Sequence, residues 1–494
     1  MLQLRLALLV ALAVPALAGA QAPATRTLTL QDAIAMAQRQ GPAAIAARST
    51  RDAARSRNQA FNAGLLPQIT LSGDAANLNH GINAITLPDG STQFIAQAQN
   101  QSSLGVAVAQ KIPLTGGTLS LGSQVSRIDL FGDSNNRYYQ TTPVILSIQQ
   151  DIFKPRTLVW NERLQAQQAV VAERGYLEAR EDVAGEIAGA FFDLYAAQMA
   201  LNNATNNVLV NDTLYTLNKG RYEVGKIGEN DLLKSELQLL RARAAVEDAK
   251  LQRDRSEAAL RRQLVYPDAR PLTIVTPDSI PFVEADAETA VREALRNSSA
   301  IQANEYDNIN VQQELTAARL NNRFNATLQA SVGFNQTASA FGRSYQSPLG
   351  KQSLALGVNM PMVQWGAGHA AVDAAKADQQ RVAANNKARH DALAEDARFS
   401  VLQLQQAQRN LLLAAKADTV SAKQFEVARN RYIIGKISNT DLYNAQNDKD
   451  AAVLAYVQAL RTYWTSYYHL RRATLYDFAA KQELSDVRDT PGPR

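Results

Sequence analysis

The sequence predicts a mixed α/β membrane protein, internally duplicated, in which strands shared between copies close a transmembrane β-barrel and helices form long antiparallel coiled-coil hairpins. Three observations predict it. RYEVGKIGENDL at Arg221 to Leu232 returns as RYIIGKISNTDL at Arg431 to Leu442, a shift of 210 residues. Two long stretches contain no proline, and between them lie short segments that alternate apolar and polar residues.

The repeat sets the organisation. LLPQITLSG at Leu65 to Gly73 matches NATLQASVG at Asn325 to Gly333 with an offset of 260, so the first copy carries about 50 extra residues. The expected division is 1–20 leader, 21–265 first repeat, 266–288 linker, 289–482 second repeat and 483–494 flexible tail.

The N-terminus has a basic Arg5, an apolar run from Leu6 to Leu17 and small residues ending Ala18-Gly19-Ala20. This pattern predicts a secretory signal peptide cleaved after Ala20, since the run is too short to span a bilayer. The chain of 494 residues has no cysteine, which excludes disulfides, thiolate metal sites and a lipidated N-terminal cysteine anchor. Its 51 basic and 46 acidic residues give a net charge of +5 with no basic tract, a mixed solvated surface that offers nothing to nucleic acid.

Four strands are expected in the first copy, near Leu65 to Asp74, Ser103 to Ile112, Thr118 to Ile128 and Thr142 to Phe153. Leu104, Val106, Val108 and Ile112 oppose Ser103, Gly105, Ala107 and Lys111, and Val144, Leu146, Ile148 and Ile152 make another apolar face. The PLTGG turn at Pro113 to Gly117 supplies Pro and Gly where a tight hairpin needs them. The second copy offers two strands, Ala326 to Phe334 and Ser353 to Met360, with the same alternation. Strands of about ten residues, apolar toward lipid and small or polar toward water, suit a transmembrane barrel, although an ordinary half-buried sheet alternates in the same way. Single-chain barrels begin at about eight strands; six strands therefore require other copies to close the wall. The extra Ser103 to Ile128 hairpin is expected to join that wall, because up, down, up, down returns the chain to its starting side. Phe131, Tyr138, Tyr139, Phe153, Phe334, Phe341, Tyr345 and Trp365 lie near the strand ends, where aromatic girdles mark membrane interfaces.

The proline-free stretches run from Arg156 to Tyr266 and from Met362 to Thr490. In the first, Ile187, Leu194, Leu201, Val208, Tyr215 and Tyr222 recur every seven residues beside Val183, Ala190, Ala197 and Ala204. In the second, Ala397, Leu404, Leu411, Asp418, Phe425 and Tyr432 run beside Ser400, Ala407, Ala414 and Ser421. Spacings of three and four define coiled-coil seams, with small residues allowing close helix approach. A helix from Pro155 to Lys219 has a length on the order of 100 Å at 1.5 Å per residue.

Together these pieces resemble the TolC family of outer-membrane efflux and secretion channels. The likeness rests on LTLQDAIAMAQRQGPAA near the start, LLPQITLSG, QQDIF, VNMPMVQWGAG and both RY-x-x-GKI turns, and it covers nearly all of the chain after the leader. It implies a homotrimer in the outer membrane of a Gram-negative bacterium. One lipid-embedded barrel would continue into a periplasmic helical tunnel whose tip meets a periplasmic adaptor protein and an inner-membrane pump. With six strands per copy, the trimeric wall would hold 18 strands rather than 12. The resemblance makes Val224, Gly225 and Lys226, with Ile434, Gly435 and Lys436, adaptor-contact residues, Lys departing from the family pattern at the third position. Asp441 matches an acidic gate position, and Asn444 stands where a second acidic ring is expected. Tyr432 and Asp231 match positions linked by polar contacts in closed tips, and Ile437 replaces a basic partner.

Read from the residues alone, Ser438 to Asp441 is also a helix start, with Ser438 as N-cap and Asp441 in the first turn. Both roles stand at this point, and like charges repeated about a three-fold axis would raise the pKa of an Asp441 ring.

Gly220 to Lys226 satisfies G-x-x-x-x-G-K, but Ile227 follows where a phosphate loop needs Ser or Thr, and the motif ends a helix. His80, His369, His390 and His469 are scattered without metal-ligand spacing, and no nucleophile-base set is visible. No enzyme activity, cofactor or metal site is expected. Two readings compete: a passive conduit of a tripartite efflux pump or type I secretion system, and a periplasmic coiled-coil adaptor with a sheet but no barrel.

Overall fold

The computed structural model describes residues 27–132, 135–266, 272–276, 280 and 282–484. The expected leader, the tail from residue 485 and residues 267–271, 277–279 and 281 of the expected linker lie outside the described residues.

The elements in chain order are β1 (Thr27–Thr29), α1 (Leu30–Gln40), α2 (Pro42–Ala63), β2 (Gln68–Thr86), β3 (Thr92–Ile112), β4 (Gly117–Phe131) and β5 (Asn136–Ile152). There follow α3 (Thr157–Glu223), α4 (Glu229–Leu264), β6 (Thr273–Val275), α5 (Ala287–Asn297) and α6 (Ser299–Asn321). The second half continues with β7 (Asn325–Ala338), a 3-10 turn (Phe341–Tyr345), β8 (Leu349–Asn359), α7 (Ala367–Ile433), α8 (Asn439–Thr474), β9 (Tyr476–Asp477) and β10 (Gln482–Glu483). The two proline-free stretches each become a 67-residue helix followed by a 36-residue one. No described helix is long and apolar enough to cross a membrane.

By its contacts the chain divides into two compact units, each drawing segments from both halves of the sequence. One comprises residues up to Gly41, Glu186–Pro281 and Leu411–Thr462. Here Phe191, Phe192, Leu194, Leu260 and Leu264 are fully buried. β1 pairs in parallel with β6, so the described part of the linker is held against the N-terminal strand. Glu257 accepts from the backbone N–H of Leu272 and from Arg261, while the Gln198 side chain donates to the Leu272 carbonyl.

The other unit comprises Pro42–Gly185, Phe282–Asn410 and Tyr463 onward. Its aromatic core includes Tyr463, Trp464, Tyr467 and Tyr468 on one end of α8. Arg471 is clamped between Glu181 and Asp477 at 2.8 Å each, tying β9 to α3. A half-buried arginine answered by two carboxylates satisfies the charge that burial would otherwise penalise. Gln405 and Gln408 of α7 donate to the carbonyls of Ala285 and Val283, which closes the backbone of an extended segment without a sheet.

This second unit holds one antiparallel six-stranded sheet in the order β2-β3-β4-β5-β7-β8. The extra hairpin β3–β4 lies inside that order, between β2 and β5, rather than outside it. The strands are longer than the ten residues expected, reaching 19 in β2 and 21 in β3. The expected strands end at Asp74 and resume at Ser103 because the stretch between is rich in Asn, Gln, Gly and Ala, which have low strand propensity. Yet Asn77 to Thr86 pairs without interruption with Gln101 to Thr92.

Candidate functional site

The pairing register sorts the sheet into two faces. Ile69, Leu71, Leu104, Val106, Leu121, Leu146, Val332, Leu354 and Leu356 share one face, and each is exposed in the single chain. Ser72, Ser103, Gly105, Ser120, Gly122 and Thr142 share the other, which lines a concavity of about 490 Å³. An apolar convex face and a small, polar concave face are what lipid outside and water inside require. A bulge between Asp74 and Asn77 shifts β2 by one residue. Without that shift the side-chain period of two would turn Leu78 and Ile82 to the concave face.

Both edges of the sheet, β2 and β8, are unpaired in the single chain, with Ile69 at 75% and Leu354 at 75% exposure. Long apolar edges invite further strands. Because six strands alternate in direction, β8 and β2 run oppositely, so β8 of one copy can continue antiparallel into β2 of the next.

Of the predicted girdle aromatics, Phe153 packs against Phe324 at 6.0 Å near the helix-bearing end of the sheet, where Trp365 is also exposed. Tyr139, Phe341 and Tyr345 stack edge to face at the opposite end, with centroids 5.7 and 5.5 Å apart. Tyr138 departs from expectation, since it pairs with Ile128 on the concave side.

The second candidate region is the pair of turns that join α3 to α4 and α7 to α8. Each closes α3 or α7 with the same Schellman motif. Lys226 N–H bonds the Arg221 carbonyl at 2.8 Å and Gly225 N–H bonds that of Tyr222 at 2.9 Å; Lys436 to Arg431 and Gly435 to Tyr432 repeat this at 2.9 Å each. Gly225 and Gly435 have φ of +70° and +71°, so the glycine of each GK pair is required by the left-handed residue that ends the helix. Val224 and Ile434, at 67% and 65% exposure, stand on the outside of the turns, with both lysines exposed.

Tyr432 is 3% exposed, and its hydroxyl donates to Asn218 Oδ1 at 2.7 Å. Asn218 lies on α3, whose buried series Val183, Ala197, Ala204, Asn211 and Asn218 carries it to the seam. Burial and loss of solvation push the Tyr432 hydroxyl pKa up, and Tyr443 beside it is pushed up to about 12. Arg221 donates to the carbonyls of Tyr432 and Ile433 and lies 5.2 Å from the Tyr432 ring centroid. At α8 a capping box forms: Ser438 Oγ accepts from Asp441 N–H, and Asp441 Oδ2 accepts from Ser438 N–H and Oγ. These bonds hold the exposed Asp441 carboxyl of the single chain below its ordinary value. Asn444 is exposed one turn later.

Above the turns the α3–α8 seam is polar. Asn218 faces Asn439 and Asn207 donates to Asp450 at 2.5 Å, and the same antiparallel register sets Asn211 opposite Gln446. Asn211 Oδ1, Gln446 Oε1, Asp450 Oδ1 and the Tyr443 hydroxyl are buried without partners beside a cavity of about 390 Å³.

The sequence profile of the outer membrane efflux protein family matches residues 88–264 and 290–474. The chain belongs to the outer membrane efflux protein family. Comparison with curated protein sequences gives no match. Among solved structures, the chain is similar to the Campylobacter jejuni CmeC outer membrane channel at 17% identity and TM-score 0.65, covering 92% of this chain and 87% of that one. It is also similar to the Vibrio cholerae outer membrane protein VceC, at 14% identity, TM-score 0.64 and coverage of 90% and 95%. The open state of the Neisseria gonorrhoeae MtrE outer membrane channel matches at 18% identity, TM-score 0.61 and coverage of 92% and 90%. The fold is therefore that of outer-membrane efflux channels, and the adaptor reading gives way to the channel.

Within this efflux-channel fold the sequence reading found the turn residues and the Tyr432 seam but missed Asn218, Arg221, Asn211 and Gln446. The signal was present, because Asn211 and Asn218 continue the seven-residue series of Val183, Ala190, Ala197 and Ala204. The Leu series itself drifts out of the seam, leaving Tyr222 41% exposed while Leu214 is 4% exposed. A straight helix of 3.6 residues per turn rotates about 20° per heptad against a strict repeat, and that drift accounts for the change.

Proposed function

We propose that three copies of this chain close one outer-membrane barrel of eighteen strands, the conduit of a tripartite efflux pump or type I secretion system. The single observation that carries the reading is the six-stranded sheet with two free, oppositely directed edges. Eighteen strands leave an aqueous channel, as barrels of about 16 to 18 strands do. Transport is passive and involves no catalytic step or cofactor; energy comes from an inner-membrane pump joined through a periplasmic adaptor. The duplicated repeats, joined by the 266–288 linker, supply the wall and the tunnel, and the precursor loses residues 1–20 without gaining a lipid. An intact mass beginning at Gln21 is the check on that processing.

The exposed Val224, Lys226, Ile434 and Lys436 form the adaptor-facing surface around Gly225 and Gly435. Asp441, Asn444, Tyr432 and Asp231 make the tip gate, with Asp441 serving as both cap and acidic ring. Single-particle imaging of the detergent-extracted protein tests the assembly: a three-fold barrel with eighteen wall strands supports it, and a twelve-stranded wall with β3–β4 displaced overturns it. For the gate, Asp441→Ala is expected to weaken block by multivalent cations in planar bilayers at least tenfold; unchanged block removes Asp441 from the pore.

A further inference from the structure

We infer that the outward face of the sheet, just beyond the apolar positions of β4 and β5, binds the phosphorylated headgroup of an outer-leaflet lipid through Arg127 and Arg137 held around Asp129, with Arg343 alongside. The inference rests on the outer-membrane barrel and adds a ligand to its lipid side.

Position comes from register. On β4 the lipid-face positions Leu119, Leu121 and Val125 are followed, away from the helices, by Arg127 and Asp129. On β5 Ile148, Leu146 and Val144 are followed beyond a bulge by Thr141, Tyr139 and Arg137. Arg127 stands opposite Tyr139 and Asp129 opposite Arg137, so the charged residues share the face that carries the belt. They do not line the lumen, which excludes a transported anion as their partner.

The geometry is that of a prepared cation pair. Arg127 Nε meets Asp129 at 2.9 Å and Arg137 Nε meets it at 2.8 Å, so one carboxylate orients two guanidinium groups. The carboxylate is 13% exposed, whereas the Arg127 and Arg137 side chains are 43% and 54% exposed. One negative charge against two positive ones leaves an excess that faces outward. Among the described residues on this face beyond the belt, Asp129 is the only carboxylate.

The 3-10 turn adds the depth marker and a third cation. Thr141 Oγ1 donates to the Ser344 carbonyl, which seats the turn over β5. Phe341 meets Tyr139 there, and Arg343 between the aromatic residues is exposed. Aromatic rings at a barrel's rim lie at headgroup level, and guanidinium groups bind phosphate in a planar, two-point manner. A phosphate of a membrane lipid arrives at this depth with its acyl chains along the belt. A free phosphate has no such chains and gains nothing from the belt.

The test measures binding of a bisphosphorylated glycolipid, its dephosphorylated form and inorganic phosphate to the delipidated full-length protein by native mass spectrometry. The wild type is expected to retain the bisphosphorylated glycolipid at least tenfold more tightly than the dephosphorylated one, with inorganic phosphate at millimolar concentration failing to displace it. Arg127→Gln with Arg137→Gln is expected to abolish the preference. Arg343→Gln, on an exposed turn, reduces it about threefold without touching the strands. Equal affinity for the two glycolipids, displacement by inorganic phosphate, or an unchanged preference in both variants overturns the inference. Single-channel conductance of the same samples separates the two levels. Loss of conductance in the wild type would indict the barrel, whereas normal conductance with no lipid preference would indict this site alone.

Discussion

The two turns at the helix ends share seven identical positions and the same Schellman geometry, yet they occupy different environments. In the second copy Tyr432 is buried, bonded to Asn218 and covered by Arg221, and α8 starts with a reciprocal Ser438–Asp441 cap. The first copy leaves Tyr222 at 41% exposure, and α4 starts at Gly228 with no side-chain cap. The asymmetry is directed: Arg221 of the first copy satisfies the last carbonyls of α7 in the second. Duplication supplied the fold of the turn twice, but one turn is pinned by the other. A pair of turns built this way has one half fixed by buried contacts and one half left exposed in the single chain.

The strongest way to break this contrast is to truncate the two tyrosines. Tyr432→Ala removes a buried ring and leaves Asn218 without its donor, which is expected to cost about 3–4 kcal/mol of local stability. Tyr222→Ala removes an exposed ring and is expected to cost less than about 0.5 kcal/mol. Hydrogen exchange of peptides spanning 425–445 measures both, since local opening is read without unfolding the assembly. Similar protection losses in the two variants would abolish the distinction between a pinned and an unpinned turn.

A second comparison concerns Arg221, whose guanidinium reaches from the first copy to the α7 end of the second. Arg221→Ala should deprive two helix-terminal carbonyls of their donor and cost about 1–2 kcal/mol in the α7 end. Arg431→Ala, its counterpart in the repeat, has an exposed side chain and should leave the same peptides unchanged. Above the turn the sign reverses. Asn211 and Gln446 face each other with buried, unpartnered oxygens, so replacing both by Leu exchanges two desolvated acceptors for apolar contact. The double variant is expected to raise the local opening free energy by about 1 kcal/mol, because an unsatisfied buried group costs more than an apolar one of similar size. A slower exchange in 205–215 and 443–450 confirms it, and a faster one shows that the amides are satisfied.

How far the sequence announced this arrangement depends on the residue. The alternation of Leu104, Val106 and Val108 with Ser103, Gly105 and Ala107 marked the strand and sorted its two faces, because successive residues of a strand point to opposite sides. The far ends of β2 and β3 were hidden by Asn77, Asn79, Gln97, Gln99 and Gln101, which read as loop by propensity and are placed in strands by the pairing between β2 and β3. Pro88-Asp89-Gly90, with Gly90 at φ +83°, was the overlooked turn signal. The seven-residue series located the helices and Tyr432 correctly but misplaced Tyr222, since periodicity does not fix phase over 67 residues. Asn218 as the partner of Tyr432 depends on the register between two helices separated by more than 200 positions, and no local pattern encodes that register.

The finest test of the asymmetry is at the helix starts. Ser438→Ala removes the N-cap of α8 and is expected to cost about 1 kcal/mol, whereas Gly228→Ser in the first copy is expected to gain only a few tenths. The Ser438 contribution should also depend on pH through its partner. The Asp441 carboxyl is held below its ordinary value of 3.8, so the ionised form is the one the folded cap prefers. A group lowered in the folded state stabilises above its unfolded pKa and loses that stabilisation as pH falls through the folded one. The difference between wild type and Asp441→Ala should therefore be constant at neutral pH and shrink below pH 3.8. Exchange at the start of α8, compared at matched intrinsic rates, reads this directly. A difference that grows on acidification would mean that the carboxyl is held by repulsion within a ring rather than by the Ser438 cap.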